Sequence, residues 1–195
     1  MTDVFKSYLH STGELSVDEI NFSAQFFKSI LLKKGDFFIR EDEYCNHIGF
    51  IASGAVKAYA IDKKGKENVT CFKFENEFVT SFSEFVMQEK SRRSIRAIED
   101  CVIYRINYPD YQYLLGEVTV WNRVIKSVME QEYSQKEGYV LNYNNKTVED
   151  KYRHVLSNEP RFVQRVTTQD LASYLGVTQR SLTRAKGQIH RSNVL

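Results

Sequence analysis

The residues with the most chemistry to offer lie between positions 167 and 189, TTQDLASYLGVTQRSLTRAKGQI. On a helix beginning near Thr178, Leu182, Ala185 and Ile189 share one side. Gln179, Arg180, Thr183, Arg184 and Gly187 then occupy the other, with Ser181 near its edge. That outward side is polar, basic and free of acids. A guanidinium can bond guanine bidentately and a carboxamide can bond adenine, so the face suits the major groove of double-stranded DNA. Thr178, Lys186 and Arg191 are better placed for phosphates, which position a protein without reading sequence. A structural helical hairpin with a solvated face is the plainer alternative.

What precedes this helix favours the groove. Thr167 or Thr168 can cap a first short helix, with Asp170 in its first turn. Leu171 and Leu175 lie four apart, and Ala172 is small enough for close helix approach. Gly176 falls where a sharp turn needs positive φ, Val177 plugs the corner, and Thr178 caps the second helix. The pattern is that of a helix-turn-helix.

Other chemistries find little support. Cys45, Cys71 and Cys101 are too dispersed for a Cys-x-x-Cys site or a disulfide framework, and read as buried reduced thiols. His10, His47, His154 and His190 are scattered, so neither a cupin-like metal centre nor an axial haem ligand is indicated. No Gly-x-Ser-x-Gly, P-loop or His-Glu-x-x-His occurs. No catalytic residue, metal or cofactor is expected, and the chain does not read as an enzyme.

The elements that must carry the 167–189 segment are legible from periodicity. Residues 3–28 read as helices, with Ser16 and Glu19 spaced as a capping box and Phe22, Phe26, Phe27 and Ile30 near helical spacing. From 31 to 106 short β-branched and aromatic runs alternate with turns at Lys34-Gly35-Asp36, Ser53-Gly54, Asp62-Lys63-Lys64-Gly65-Lys66 and Glu75-Asn76-Glu77. The runs 37–39, 47–52, 55–61, 68–74, 94–98 and 101–106 predict an antiparallel sandwich or barrel, interrupted by a short helix over 81–88. No proline interrupts 111–145, which predicts one long helix. Its apolar stripe, Trp121, Val124, Ile125 and Val128, running on through Tyr133 and Tyr139, suits a seam with a second copy; an ordinary helix lying on the barrel is the alternative. Thr147 and Asp150 can cap a further helix over 148–157, ended by Asn158-Glu159-Pro160.

Charge separates the two ends. Residues 151–195 carry eight lysines and arginines against Glu159 and Asp170, a net +6, which leaves −4 for 1–150. Such asymmetry points to a polyanion partner for the C-terminal end. No apolar run approaches a membrane span and the first residues lack a signal pattern, so a cytoplasmic protein is expected.

The whole pattern resembles the Crp-Fnr family of bacterial regulators. The resemblance is carried by Lys33-Lys34-Gly35-Asp36, by Ile51-Ala52-Ser53-Gly54-Ala55-Val56-Lys57, by the hairpin Asp62 to Glu67, by Ala97-Ile98-Glu99-Asp100 and by the helix from about Val118. It implies an α+β fold: an antiparallel jelly-roll β-barrel like the cyclic-nucleotide-binding fold, a long dimerisation helix, and a C-terminal helix-turn-helix whose wing is truncated, since at most Asn193-Val194-Leu195 could supply a strand. The implied domains are 1–116, 117–145 and 146–195. The implied partners are promoter DNA, a second copy, a small-molecule effector and RNA polymerase. DNA contacts fall to Thr178, Gln179, Arg180, Ser181, Thr183, Arg184 and Lys186. Family members that bind cyclic AMP carry a Gly-Glu pair after an apolar strand and an Arg-Ser pair about ten residues on. Here Phe78-Val79 runs into Thr80-Ser81-Phe82, and although Arg93-Ser94 matches the second pair, counting back from Ala97 places Ser91 at the arginine's position. Cyclic AMP is therefore not the expected ligand, and Thr80, Ser81, Ser83, Arg92 and Arg93 bracket the candidate pocket. A ligand-binding or protein-interaction module that has lost DNA binding is the other reading of the same residues.

Overall fold

A computed structural model describes residues 3–144 and 146–192, so the segment considered for a final strand, Asn193-Val194-Leu195, lies outside the described residues. The chain forms two compact units, Met1–Ala60 with Phe72–Gln131, and Ile61–Cys71 with Glu132–Leu195.

Two helices lead the first unit, α1 (Asp3–Ser11) and α2 (Val17–Ala24). The capping box at α2 is formed: Glu19 N–H donates to Ser16 Oγ at 3.3 Å and Ser16 N–H to Glu19 Oε2 at 2.8 Å. Strands β1 (Lys28–Leu32), β2 (Phe37–Ile39), β3 (His47–Ser53), β4 (Val56–Ile61), β5 (Glu67–Lys73) and β6 (Phe78–Val79) follow. Then come α3 (Phe82–Met87), β7 (Ser94–Ala97) and β8 (Cys101–Asn107). Two four-stranded sheets result, ordered β1-β8-β3-β6 and β2-β7-β4-β5. Ile30 belongs to β1, paired with Ile103, and not to the helix that its spacing after Phe26 suggests. Ile30 and Leu32 are half-buried while Leu31 between them is 77% exposed, the period of two of a strand rather than a helical one.

Alternation explains the packing. Along β8, Cys101, Ile103, Tyr104 and Ile106 are buried while Arg105 and Asn107 are exposed. Phe5 of α1 drops into this core, 4.4 Å from the Phe27 ring and 4.9 Å from Phe50. Burial raises the thiols of Cys45 and Cys101, the latter to about 11, while Cys71 is half-buried.

The helical stretch after β8 is two helices, not one. α4 (Tyr108–Glu117) ends at Val118, and α5 (Trp121–Tyr143) starts after a turn closed by Trp121 N–H to Val118 O at 2.9 Å. The first part of the expected seam is consumed inside the chain. Trp121 is 2% exposed, donates its indole N–H to Ser23 Oγ at 2.7 Å and stacks on Phe27, and Val124 is buried too. Beyond α5 come α6 (Val148–Asn158), α7 (Pro160–Arg165), α8 (Thr168–Tyr174) and α9 (Gln179–Ser192). α7 is not expected from the sequence, because Pro160 stands at the first turn of a helix rather than merely ending one. In the second unit Tyr139, Tyr143, Phe162 and Tyr174 form an aromatic centre, with Tyr139 O–H bonded to Tyr174 O at 2.7 Å. Among the described residues no helix is long and apolar enough to cross a membrane.

Candidate nucleic-acid interface

Each residue of the α8–α9 pair has a local reason for its place. Thr167 Oγ1 accepts the N–H of Asp170 at 3.1 Å, capping α8. Leu171, Ala172 and Leu175 are buried. Gly176 has φ +65°, and a Cβ there would meet nothing within 4 Å, so backbone conformation alone selects glycine. Val177 N–H then reaches back to Ala172 O at 3.0 Å. Thr178 Oγ1 accepts the N–H of Ser181 at 3.1 Å and starts α9. Leu182, Ala185 and Ile189 are at most 2% exposed, so the inward face is fully used.

The outward face presents Thr178, Gln179, Arg180, Thr183 and Arg184 as exposed residues, with Ser181 half-buried. Arg180 and Arg184 form no ion pair among the described residues. Thr183 Oγ1 donates to Gln179 O at 2.9 Å, which leaves its hydroxyl oxygen to accept. Lys186 does not join this face. It is half-buried, its ammonium donates to Thr168 Oγ1 at 3.1 Å and lies 5.5 Å from the Tyr152 ring centre, and burial lowers its pKa. Its work is to tie α9 to the start of α8. Lys151 is similarly engaged, closing the end of α8 through Leu175 O at 2.9 Å.

The five residues bracketing the candidate ligand pocket divide. Thr80 Oγ1 donates to His47 O at 2.9 Å and lies 3.3 Å from Cys45 Sγ. Ser81 is fully buried; it donates to Glu84 Oε2 at 2.6 Å and accepts from Arg93 Nε at 2.9 Å. Arg92 donates from Nε to Glu84 Oε1 at 2.6 Å, yet its side chain is 80% exposed, and Ser83 is exposed as well. So Thr80, Ser81 and Arg93 converge, while Ser83 and most of Arg92 face outward. Glu84, which sequence reasoning missed, is the centre of the network. Burial alone would raise its pKa, but the hydrogen bonds from Ser81 and Arg92 outweigh that and hold the carboxyl below its usual range. The signal was available: Ser81 and Glu84 stand three apart, as Ser16 and Glu19 do. Among the described residues no group of three histidine, cysteine or acidic side chains could hold a metal ion.

Residues 30–117 match the cyclic nucleotide-binding domain family. Over 175 residues, 84% of this chain, the sequence is 23% identical to the fumarate and nitrate reduction regulatory protein of Vibrio cholerae and spans 69% of it. It is 24% identical to the regulatory protein HlyX of Actinobacillus pleuropneumoniae, again over 84% of this chain and 72% of the relative. The fold matches a transcriptional regulator of the crp/fnr family from Eubacterium rectale with a TM-score of 0.74, covering 95% of this chain and 88% of that one at 15% identity. FixK2 of Bradyrhizobium japonicum gives 0.72 over 87% of each chain at 18% identity. The chain is similar to Crp-Fnr regulators along most of its length.

The chain is thus a transcription regulator and not an enzyme, in keeping with relatives that are regulatory proteins. Its barrel differs from the cyclic AMP pattern in a concrete way. A carboxylate of the protein, Glu84, already neutralises Arg92. Arg93 meets only the uncharged Ser81 hydroxyl and the Ser91 hydroxyl, through its backbone, among its described hydrogen bonds outside the barrel ladders.

Proposed function

We propose that this regulator binds promoter DNA sequence-specifically as a homodimer, reading the major groove with α9. Arg180, Arg184 and Gln179 are the base-reading side chains, and Thr178, Ser181 and Thr183 contribute polar contacts at the same face. The observation that carries the reading is the pair Arg180 and Arg184, both exposed on an acid-free face of a helix whose other side is completely packed. Lys186 supports this face from behind. The barrel holds a small effector other than cyclic AMP, centred on Thr80, Ser81 and Arg93. Glu84 argues against a cyclic phosphate, since its carboxylate would repel that anion within the same network. The domains 1–116, 117–145 and 146–195 then correspond to sensing, pairing and reading.

Selection of bound duplexes from a random pool, at stated salt, tests the reading. A half-site repeated about one helical turn apart is the expected result for a two-fold dimer. Arg180→Ala and Arg184→Ala should each cost about 1–3 kcal/mol of discrimination and relax the sequence preference at one position. Retention of the selected duplex, undiminished in both variants, overturns the assignment.

A further inference from the structure

The second unit includes a segment distant in sequence from the helices, residues 61–71, and this segment begins with a lysine-bearing turn. The turn is locked. Asp62 N–H donates to Lys66 O at 2.9 Å, and Gly65 N–H to Asp62 O at 2.9 Å. The Asp62 carboxylate accepts the backbone N–H groups of Lys64 at 2.8 Å and Lys66 at 2.9 Å. Its charge is thereby directed into the turn's own backbone. Lys63, Lys64 and Lys66 are exposed, and none forms an ion pair among the described residues.

The turn is also held in place beside the reading helix. Ser173 of α8 works as both partners of a strand at once: its Oγ accepts the N–H of Val69 at 3.0 Å and donates to Glu67 O at 3.0 Å. Val69 itself is 4% exposed. Asp62, Lys66 and Asn68 line a cleft of about 490 Å³ that Val177, Thr178 and Ser181 also line. The last two residues open α9, the end of a recognition helix that meets DNA.

We propose that the Lys63-Lys64-Lys66 turn is a second DNA-contacting element, gripping phosphates beside the start of α9. This rests on the reading of α9 as the recognition helix. Charge decides between a gripping and a shielding role. A segment built to cover a basic face would imitate the polyanion and carry acids, whereas this turn adds three ammonium groups on the side of the cleft that it shares with Thr178 and Ser181. Without a polyanion the like charges repel; a phosphate backbone removes that repulsion and releases counterions.

The test measures affinity of the full chain for its selected duplex and for an unrelated duplex across about 50–200 mM salt. Combined Lys63→Ala, Lys64→Ala and Lys66→Ala should weaken both duplexes alike, about tenfold or more, and flatten the log–log salt slope by about 0.9 for each phosphate no longer neutralised. The three corresponding lysine-to-arginine changes should restore affinity and slope. Ser173→Ala, acting through position alone, should lose part of the slope with sequence preference intact. An unchanged slope in the triple alanine variant, with Arg184→Ala still relaxing the sequence preference, removes the lysine turn and leaves the reading head standing. Tighter binding by the triple variant means the turn shields the helix, which also overturns the proposal. If the wild-type chain retains no duplex at any salt, reading head and lysine turn fall together.

Discussion

At the scale of single residues, two glycines separate conformation from space. Gly176 has φ +65° with open surroundings, so Gly176→Ala should cost about 1 kcal/mol through the left-handed backbone alone, with Gly176→Asn nearer wild type. Gly54 has φ +89°, and a Cβ there would collide with Asp100 O and come within 2.7 Å of Cys101 Sγ. Gly54→Ala should therefore destabilise markedly more, and Gly54→Asn should give no rescue. Denaturant midpoints of the four variants separate the cases, and equal losses at both sites would contradict this account. His47 supplies a pH dependence of known sign. Burial is the main cause of its lowered pKa, reinforced by Arg105 and opposed by the Phe38 carbonyl and Glu43. The unfolded chain takes up the proton more readily than the folded one, so stability is full above about pH 6.5 and declines as pH falls through that value toward the lower folded pKa. Melting temperature should fall between about pH 7.5 and 5.5, and His47→Gln should flatten that fall.

At the scale of elements, the proposed pairing falls to α5. With Trp121 and Val124 turned into the first unit's core, the apolar side chains left uncovered are Tyr133, Val140 and Leu141, at 71%, 51% and 69% exposure, with Met129 half-buried. Met129, Tyr133 and Val140 recur at four- and seven-residue steps, the spacing of a two-helix seam. Tyr133→Glu with Val140→Glu should convert a dimer into a monomer at micromolar concentration and weaken duplex retention, while melting of the monomer changes little. A dimer unaffected in sedimentation would place the interface elsewhere. The stripe is legible in the sequence, but its split into an inward and an outward half is not, because periodicity does not say which protein surface a face meets. The same limit explains the other differences. Strands β2 to β5, β7 and β8 are legible because Gly- and Asp-bearing turns bound them. β1 is not, since Phe26, Phe27 and Ile30 imitate helical spacing. The break between α4 and α5 falls at Val118-Thr119-Val120, which holds neither Gly nor Pro. The α9 face is legible residue by residue from polarity and caps, except for Lys186, whose Thr168 and Tyr152 partners come from other helices. Ser173 bonding to residues 67 and 69 is a pairing across more than a hundred positions, and no local pattern announces it.

At the scale of the whole molecule, the helix-turn-helix depends on parts of the chain that lie well upstream of it. The chain passes between the two compact units near residues 60, 71 and 131. A fragment 146–195 keeps α6 to α9 but lacks Tyr139 and Tyr143, whose rings sit 5.0 and 5.8 Å from Tyr174. It also lacks the buried Val69 and both strand-like bonds to Ser173. Chains this short bury only about 60% of their extended surface and are marginal without further support, so each deletion weighs heavily. Fragment 132–195 restores the two tyrosines and should melt well above 146–195. Adding a peptide of residues 61–71 in excess should raise the melting point of 132–195 again, since a ligand of the folded state stabilises it by mass action. Ser173→Ala should abolish that second rise without touching the first. Circular dichroism melts of the fragments measure all three effects. If 146–195 melts as high as 132–195, and the peptide changes neither, then the aromatic centre and the Ser173 pairing contribute nothing to the reading domain.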